Sequence, residues 1–168
     1  MPEITQQPAI EIRDFHERDL AALVDLSLRA WAPVFASIRE VLGDEIFLRL
    51  HPDWKTDQEN AVKSSCTDSE RQVFVAVADD RPVGFVAVAL NAFHEGMGWI
   101  DIIGVDPDYQ RRGVAESLTT VALDYMRGAG MDIAVVETGG DVGHAPARAA
   151  YEAFGFTLLP IARYFKTL

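Results

Sequence analysis

A single cysteine, Cys66, among 168 residues excludes an internal disulfide. No histidine–aspartate pattern accompanies it, so it reads as a small core residue, and a reducing cytoplasm is the expected compartment. No run of about 18 consecutive apolar residues occurs, so no membrane span is expected. The segment Met1 to Ala9 holds two prolines, Pro2 and Pro8, and lacks the charged start and apolar stretch of a signal peptide. It reads as a flexible N-terminus. The four histidines, His16, His51, His94 and His144, are scattered without the paired spacing of a metal site, and no metal is expected. Neither the dinucleotide pattern G-x-G-x-x-G nor the P-loop pattern is present, which argues against a nicotinamide oxidoreductase. Basic residues are the minority, 15 against 26 acidic, for a net charge of −11. Such a field repels nucleic acid and favours a cationic amine as ligand, although it also serves solubility.

What is present is a mixed α/β pattern over residues 10–168, without repeat or linker. Ile10 to Asp14 alternates as a half-buried strand, and Glu17 to Trp31 has helical spacing. Pro33 is placed to open a second helix, which Gly43-Asp44 stops and restarts. Asp53 caps another helix to about Ser65. Val73 to Ala78 and Val83 to Leu90 form a hairpin across Asp79-Asp80-Arg81-Pro82. After a loop from Asn91 to Gly98 come strand Trp99 to Val105, a helix ending at Gly128 to Gly130, and strand Asp132 to Glu137. A glycine-rich loop, Thr138 to Gly143, leads to a helix from Ala145 to Phe154. Phe156 to Leu168 closes the pattern as an extended segment interrupted by Pro160.

The most informative stretch is Val105-Asp106-Pro107-Asp108-Tyr109-Gln110-Arg111-Arg112-Gly113-Val114-Ala115. A strand ends, a glycine flanked by cations follows, and a helix begins. The first amides of a helix have no partner inside it and carry partial positive charge, an arrangement suited to phosphate. This stretch resembles the acyl-CoA signature Q/R-x-x-G-x-G/A of the GNAT superfamily of N-acyltransferases, matched by Gln110, Gly113 and Ala115. A second motif of that family, N-x-x-A-x-x-x-Y-x-x-x-G-F, is matched by Ala147, Tyr151, Gly155 and Phe156, with His144 in the asparagine position. The element order resembles the same fold. The resemblance implies a central mixed, largely antiparallel sheet of about six to seven strands with helices on both faces, within one domain over residues 10–168. It further implies acetyl-CoA as cosubstrate without a metal, a primary amine as acceptor, and direct transfer. Gln110, Arg111, Arg112, Gly113, Val114 and Ala115 would hold the pyrophosphate, and the backbone of Ile103 and Val105 would pair with the pantetheine arm. A homodimer is common in the family, but no residue specifies one here.

Amine acylation by a thioester needs a base for the amine, donors for the oxyanion and a proton for the thiolate. By resemblance Tyr151 supplies that proton; as a helix tyrosine it could equally pack. Asp101 is the candidate base, because period two puts Trp99, Asp101, Ile103 and Val105 on one face and a charge in an apolar run is costly unless it is paired or functional. The alternative is an aspartate bonded to backbone or an arginine, with Glu95 as reserve base. His144 is a contact to the coenzyme or a helix cap. Asp141 is a contact for a cationic amine or a solvated loop residue. Trp31, Phe35 and Trp54 are candidates for the acceptor pocket or for core packing. The acceptor is expected to be a small molecule, with a protein N-terminus or lysine as alternative. The rival of a different class is a non-catalytic acyl-CoA sensor, which needs the cradle but neither Asp101 nor Tyr151.

Overall fold

The computed structural model describes residues 9–168, so most of the segment expected to be a flexible N-terminus, Met1 to Pro8, lies outside the described residues. Five strands form one sheet in sequential order: β1 (Glu11–Asp14), β2 (Arg71–Ala78), β3 (Arg81–Ala89), β4 (Met97–Val105) and β5 (Ile133–Val136). The first four pair antiparallel and β4–β5 pair parallel. The mixed, largely antiparallel sheet is as expected, with fewer strands than six to seven. The difference lies at the C-terminus: the extended segment expected over Phe156–Leu168 joins no strand.

Helices cover both faces. Against one face lie α1 (Leu20–Leu50) and α2 (Trp54–Thr67), which bury Leu23, Leu26, Val62 and Cys66 on Val73, Val75, Phe85 and Ala87. Against the other lies α3 (Val114–Gly128), whose Val114, Leu118, Ala122 and Met126 recur every four residues and pack on Ala76, Val86, Val88 and Ile100. The alternation of β2 and β3 thus feeds two cores, one per face. Asp79 and Asp80 take positive φ (48° and 60°), the conformation that lets a two-residue hairpin match strand twist. Asp53 caps α2 through the amide of Thr56 at 3.2 Å.

Where a new helix was expected at Pro33, α1 runs on through it and breaks instead at Gly43 (φ 74°). The missing amide of Pro33 removes one helical hydrogen bond, but the packing of Phe35 and Ser37 holds the helix in line. By length and composition α1 could cross a membrane. One face of it, with Leu23, Leu26 and Phe35, is buried in the domain, and Arg29 and Ser37 are tied to the domain by side-chain bonds.

Two departures from regular pairing shape the far end of the sheet. On the β3 side, Ala87 pairs with Ile102 and Val88 with Ile100, leaving Asp101 as the extra residue of a β-bulge. On the β5 side, pairing stops at Ile100–Val136. From Asp101 to Val105, roughly 16 Å of extended chain, the outer edge of β4 has no strand partner among the described residues. β5 ends at Val136, so its pairing with β4 does not continue there, and this unpaired stretch of β4 is the splay.

Candidate active site

The bulge corrects the expectation that Trp99, Asp101, Ile103 and Val105 share a face. An inserted residue inverts the side-chain alternation beyond it. Trp99 and Asp101 therefore face α2, meeting Arg71 and Ser65, whereas Ile103 and Val105 pack into the α3 core. Asp101 Oδ2 accepts from Ser65 Oγ at 2.7 Å and from Arg71 Nε at 3.0 Å. Oδ1 has no protein partner among the described residues. Glu95 lies before the opposite end of β4, beside an open depression lined by Asn91, Gly96 and Asp132, away from the splay.

β4 runs directly into the cradle. Its end is anchored by Asp106, a buried carboxylate that accepts two bonds from Arg29 of α1 at 2.9 and 2.8 Å and caps the next turn through the amide of Asp108. The Arg29 guanidinium outweighs burial and holds the Asp106 carboxyl below the usual carboxylate range. Beyond it, Arg111 and Gly113 both adopt positive φ (61° and 79°) on either side of Arg112. Alternation of this kind turns successive amides into one concavity, a nest for an anion. A left-handed non-glycine residue such as Arg111 is strained, and such strain concentrates at ligand-binding turns. The first amide bonded within α3 is that of Ser117, to the carbonyl of Gly113, so those of Val114, Ala115 and Glu116 have no acceptor in the helix. Arg112 stacks on Tyr109 with 5.2 Å to the ring centroid, and both Arg111 and Arg112 are exposed at the turn. Gln110 folds back, its amide donating to the carbonyl of Val105 at 3.3 Å.

The opposite lip of the splay is the loop after β5. Here Asp141 is turned inward: Oδ2 accepts from Ser37 Oγ of α1 at 2.5 Å, and Oδ1 meets His144 Nδ1 at 2.5 Å. Burial pushes the Asp141 carboxyl up, but the Ser37 hydroxyl and the His144 imidazole outweigh it and keep it below the usual range. Arg148 donates to the carbonyls of Gly139 and Asp141 and closes the loop. A Cβ on Gly139 would collide with both His144 and Asp141, so the pair depends on that glycine. In the neutral imidazole, Asp141 holds the proton on Nδ1 and leaves Nε2 as an acceptor without a protein partner among the described residues. Nothing local marks Ser37, which lies 104 residues from Asp141.

Tyr151 stands on α4 (Ala145–Ala153), seven residues beyond His144, and its ring is held edge-on by Phe156. Burial of the ring pushes its phenol up to about 12, yet the side chain is only half-buried in the fold. Trp31 lies over Gly104, and Phe35 stacks on Trp54 at 4.7 Å, so all three aromatic candidates pack within the fold. Burial, with the carboxylates of Asp101 and Asp19 adding to it, pushes the Cys66 thiol up to about 12. The native protein is expected to react with a chromogenic disulfide reagent on the order of 100-fold slower than the denatured chain. Equal rates would place Cys66 at the surface.

The family model described as "Acetyltransferase (GNAT) family" matches residues 35–156. A mycothiol acetyltransferase of Thermomonospora curvata is 26% identical over 161 residues, which cover 94% of this chain and 47% of that protein. N-alpha-acetyltransferase 30 of Schizosaccharomyces pombe is 34% identical over 86 residues, 49% of this chain and 55% of that protein. The chain thus spans about half the length of these relatives. Among solved structures, an aminoglycoside N-acetyltransferase in complex with CoA superposes with a TM-score of 0.60 at 15% identity, covering 98% of both chains. That likeness is one of fold.

Proposed function

The chain belongs to the GNAT family of acetyltransferases, and from that premise we propose that it moves an acetyl group from acetyl-CoA directly to a primary amine of a small molecule. The observation that carries this reading is the unpaired edge of β4 from Asp101 to Val105, which ends in the amide-lined turn before α3. An extended ligand with amides along its length and a pyrophosphate at one end matches that edge and turn in order. Along α1, Trp31 touches the β4 lip at Gly104 and Ser37 the β5 lip at Asp141 and Gly143. Six residues of helix span about 9 Å, close to twice the spacing of about 4.8 Å between neighbouring strands. One extended chain fits in such a gap.

The coenzyme, when bound, supplies the activated acetyl thioester. The amides of Gly113, Val114 and Ala115, with the side chain of Arg111, hold its pyrophosphate, and the backbone of Ile103 and Val105 holds its arm. His144, with its tautomer set by Asp141, offers Nε2 to an amide of the arm, the acceptor half of what asparagine offers at this position. Tyr151, a protonated phenol at neutral pH, donates to the departing sulfur. Asp101 Oδ1 takes the amine proton through a water, its other oxygen being fixed by Ser65 and Arg71. The net charge of −11 concentrates a cationic amine near the site. The similarity to N-alpha-acetyltransferase 30 supports a protein N-terminus as second acceptor class.

Calorimetric titration with acetyl-CoA, beside NADH and ATP, tests the cradle. Binding of acetyl-CoA alone near the micromolar range, about −8 kcal/mol, is expected, and equal binding of all three or of none would overturn the assignment. Acetyl transfer to a panel of small amines and N-terminal peptides then separates an enzyme from a sensor that binds without turnover.

A further inference from the structure

The hydrogen bonds that join α1 to the loop after β5 run in one direction. The Gly143 amide donates to Ser37 Oγ at 2.9 Å and to Asp141 Oδ2 at 3.1 Å. A backbone amide can only donate, so Ser37 Oγ accepts on that side and turns its own proton to Asp141 Oδ2 at 2.5 Å. Oδ2 thereby takes two donors, and Oδ1 is the oxygen left for His144 Nδ1, also at 2.5 Å. An ionised carboxylate only accepts, so the neutral ring carries its proton on Nδ1 and leaves Nε2 bare. Ser37 is buried, and the loop is shaped to reach it: a Cβ on Gly143 would lie 2.6 Å from the Ser37 Cβ. Arg148, the charged neighbour on α4, is committed to the carbonyls of Gly139 and Asp141 and does not touch the ring.

We propose that Ser37 is a positioning residue of the coenzyme site: with the Gly143 amide it fixes which oxygen of Asp141 faces His144, and so fixes Nε2 as the acceptor offered to the coenzyme arm. This role rests on the reading that the arm lies between β4 and β5, and it adds a residue of α1 to that site. It accounts for a histidine where the family motif has asparagine. An asparagine amide presents an oxygen and a nitrogen of fixed roles, whereas a neutral imidazole carries its proton on either nitrogen. Histidine can stand in for the acceptor only when a group outside the ring sets the tautomer. Among the described residues the ring has one hydrogen-bond partner, Asp141, and the side chain that orients Asp141 is Ser37, 104 residues away.

Nitrogen–proton correlation spectra of the full chain without coenzyme, at slightly alkaline pH, read the tautomer directly, with the His144 signal identified by its loss in His144→Asn. The parent is expected to carry the proton on Nδ1. In Asp141→Asn the amide oxygen stays with Ser37 and Gly143, the amide nitrogen turns to the ring, and the proton is expected to move to Nε2. A parent protonated on Nε2, or on both nitrogens, overturns the proposal, and so does a tautomer unchanged in Asp141→Asn. Ser37→Ala removes one of the two donors to Oδ2 and is expected to raise the Kd for acetyl-CoA about 5-fold, the weight of roughly one hydrogen bond. In a His144→Asn background, whatever its own affinity, the same substitution is expected to cost less than about twofold, because asparagine needs no tautomer set for it. An equal cost in both backgrounds makes Ser37 a loop anchor and overturns the role. A parent that fails to bind acetyl-CoA overturns the coenzyme reading and this role with it, whereas the wrong tautomer in a protein that binds acetyl-CoA overturns this role alone.

Discussion

Replacing Tyr151 with phenylalanine is expected to lower kcat by about 100-fold, within the usual range for loss of a general acid, while the Kd for acetyl-CoA stays within about twofold. The substitution removes one oxygen and keeps the ring that packs on Phe156, so the geometry of α4 is preserved. A proton donor to the sulfur acts only as the thioester breaks, so its loss belongs in kcat and not in ground-state affinity. The pH profile carries the same signature. Burial holds the phenol near 12, so the donor stays protonated through neutral and moderately alkaline pH, and a fall in rate that tracks its ionisation is expected only near that value. A Tyr151→Phe protein with parental kcat would make the tyrosine a packing residue.

The second large effect concerns stability. Asp106→Asn is expected to destabilise the fold by about 2 kcal/mol at neutral pH, a magnitude typical of hydrogen bonds to a charged group. The variant keeps the size of the side chain but loses the charge that Arg29 grips with two nitrogens. Because Arg29 is itself half-exposed, solvent softens the loss relative to a fully buried pair. For a domain of this size the change corresponds to a fall in Tm of roughly 4–8 °C. The carboxyl lies lower in the folded than in the unfolded state, so its contribution is present above the unfolded pKa of about 3.9 and is lost as pH falls through the lower folded value. The gap in Tm between parent and variant is therefore expected to close as the pH drops below about 4. A gap that persists at pH 2 would assign the effect to packing.

Much of this architecture is written locally. The turn from Val105 to Ala115 is legible because its ingredients are contiguous: a strand, a glycine, two arginines and a helix start. The hairpin at Asp79-Asp80 and the cap at Asp53 are legible for the same reason. The contacts that join the site across the fold are not local. Arg29 reaches Asp106 over 77 positions, and Ser37 reaches Asp141 over 104. Neither pair differs in sequence from any exposed arginine, serine or aspartate. Period two is a sound reading of an apolar strand until one residue is inserted, and the bulge at Asp101 is what separates that acid from Ile103 and Val105. The segment from Phe156 to Leu168 reads as extended from its composition, but a strand also needs a neighbour, and composition does not supply one.

The gap between β4 and β5 is also a filter on shape. It lies between the α1 and α3 layers, and its floor is bare backbone over five residues. A peptide entering there would bring a Cβ at every residue and press it alternately on Trp31 and on the α3 core. The β-alanine and cysteamine units of a pantetheine arm carry amides but no branches, so they can satisfy the open edge without displacing either layer. An unbranched arm places no side chain of its own between the layers, whereas an added peptide strand would need room for one at every residue, alternately on either side of the sheet.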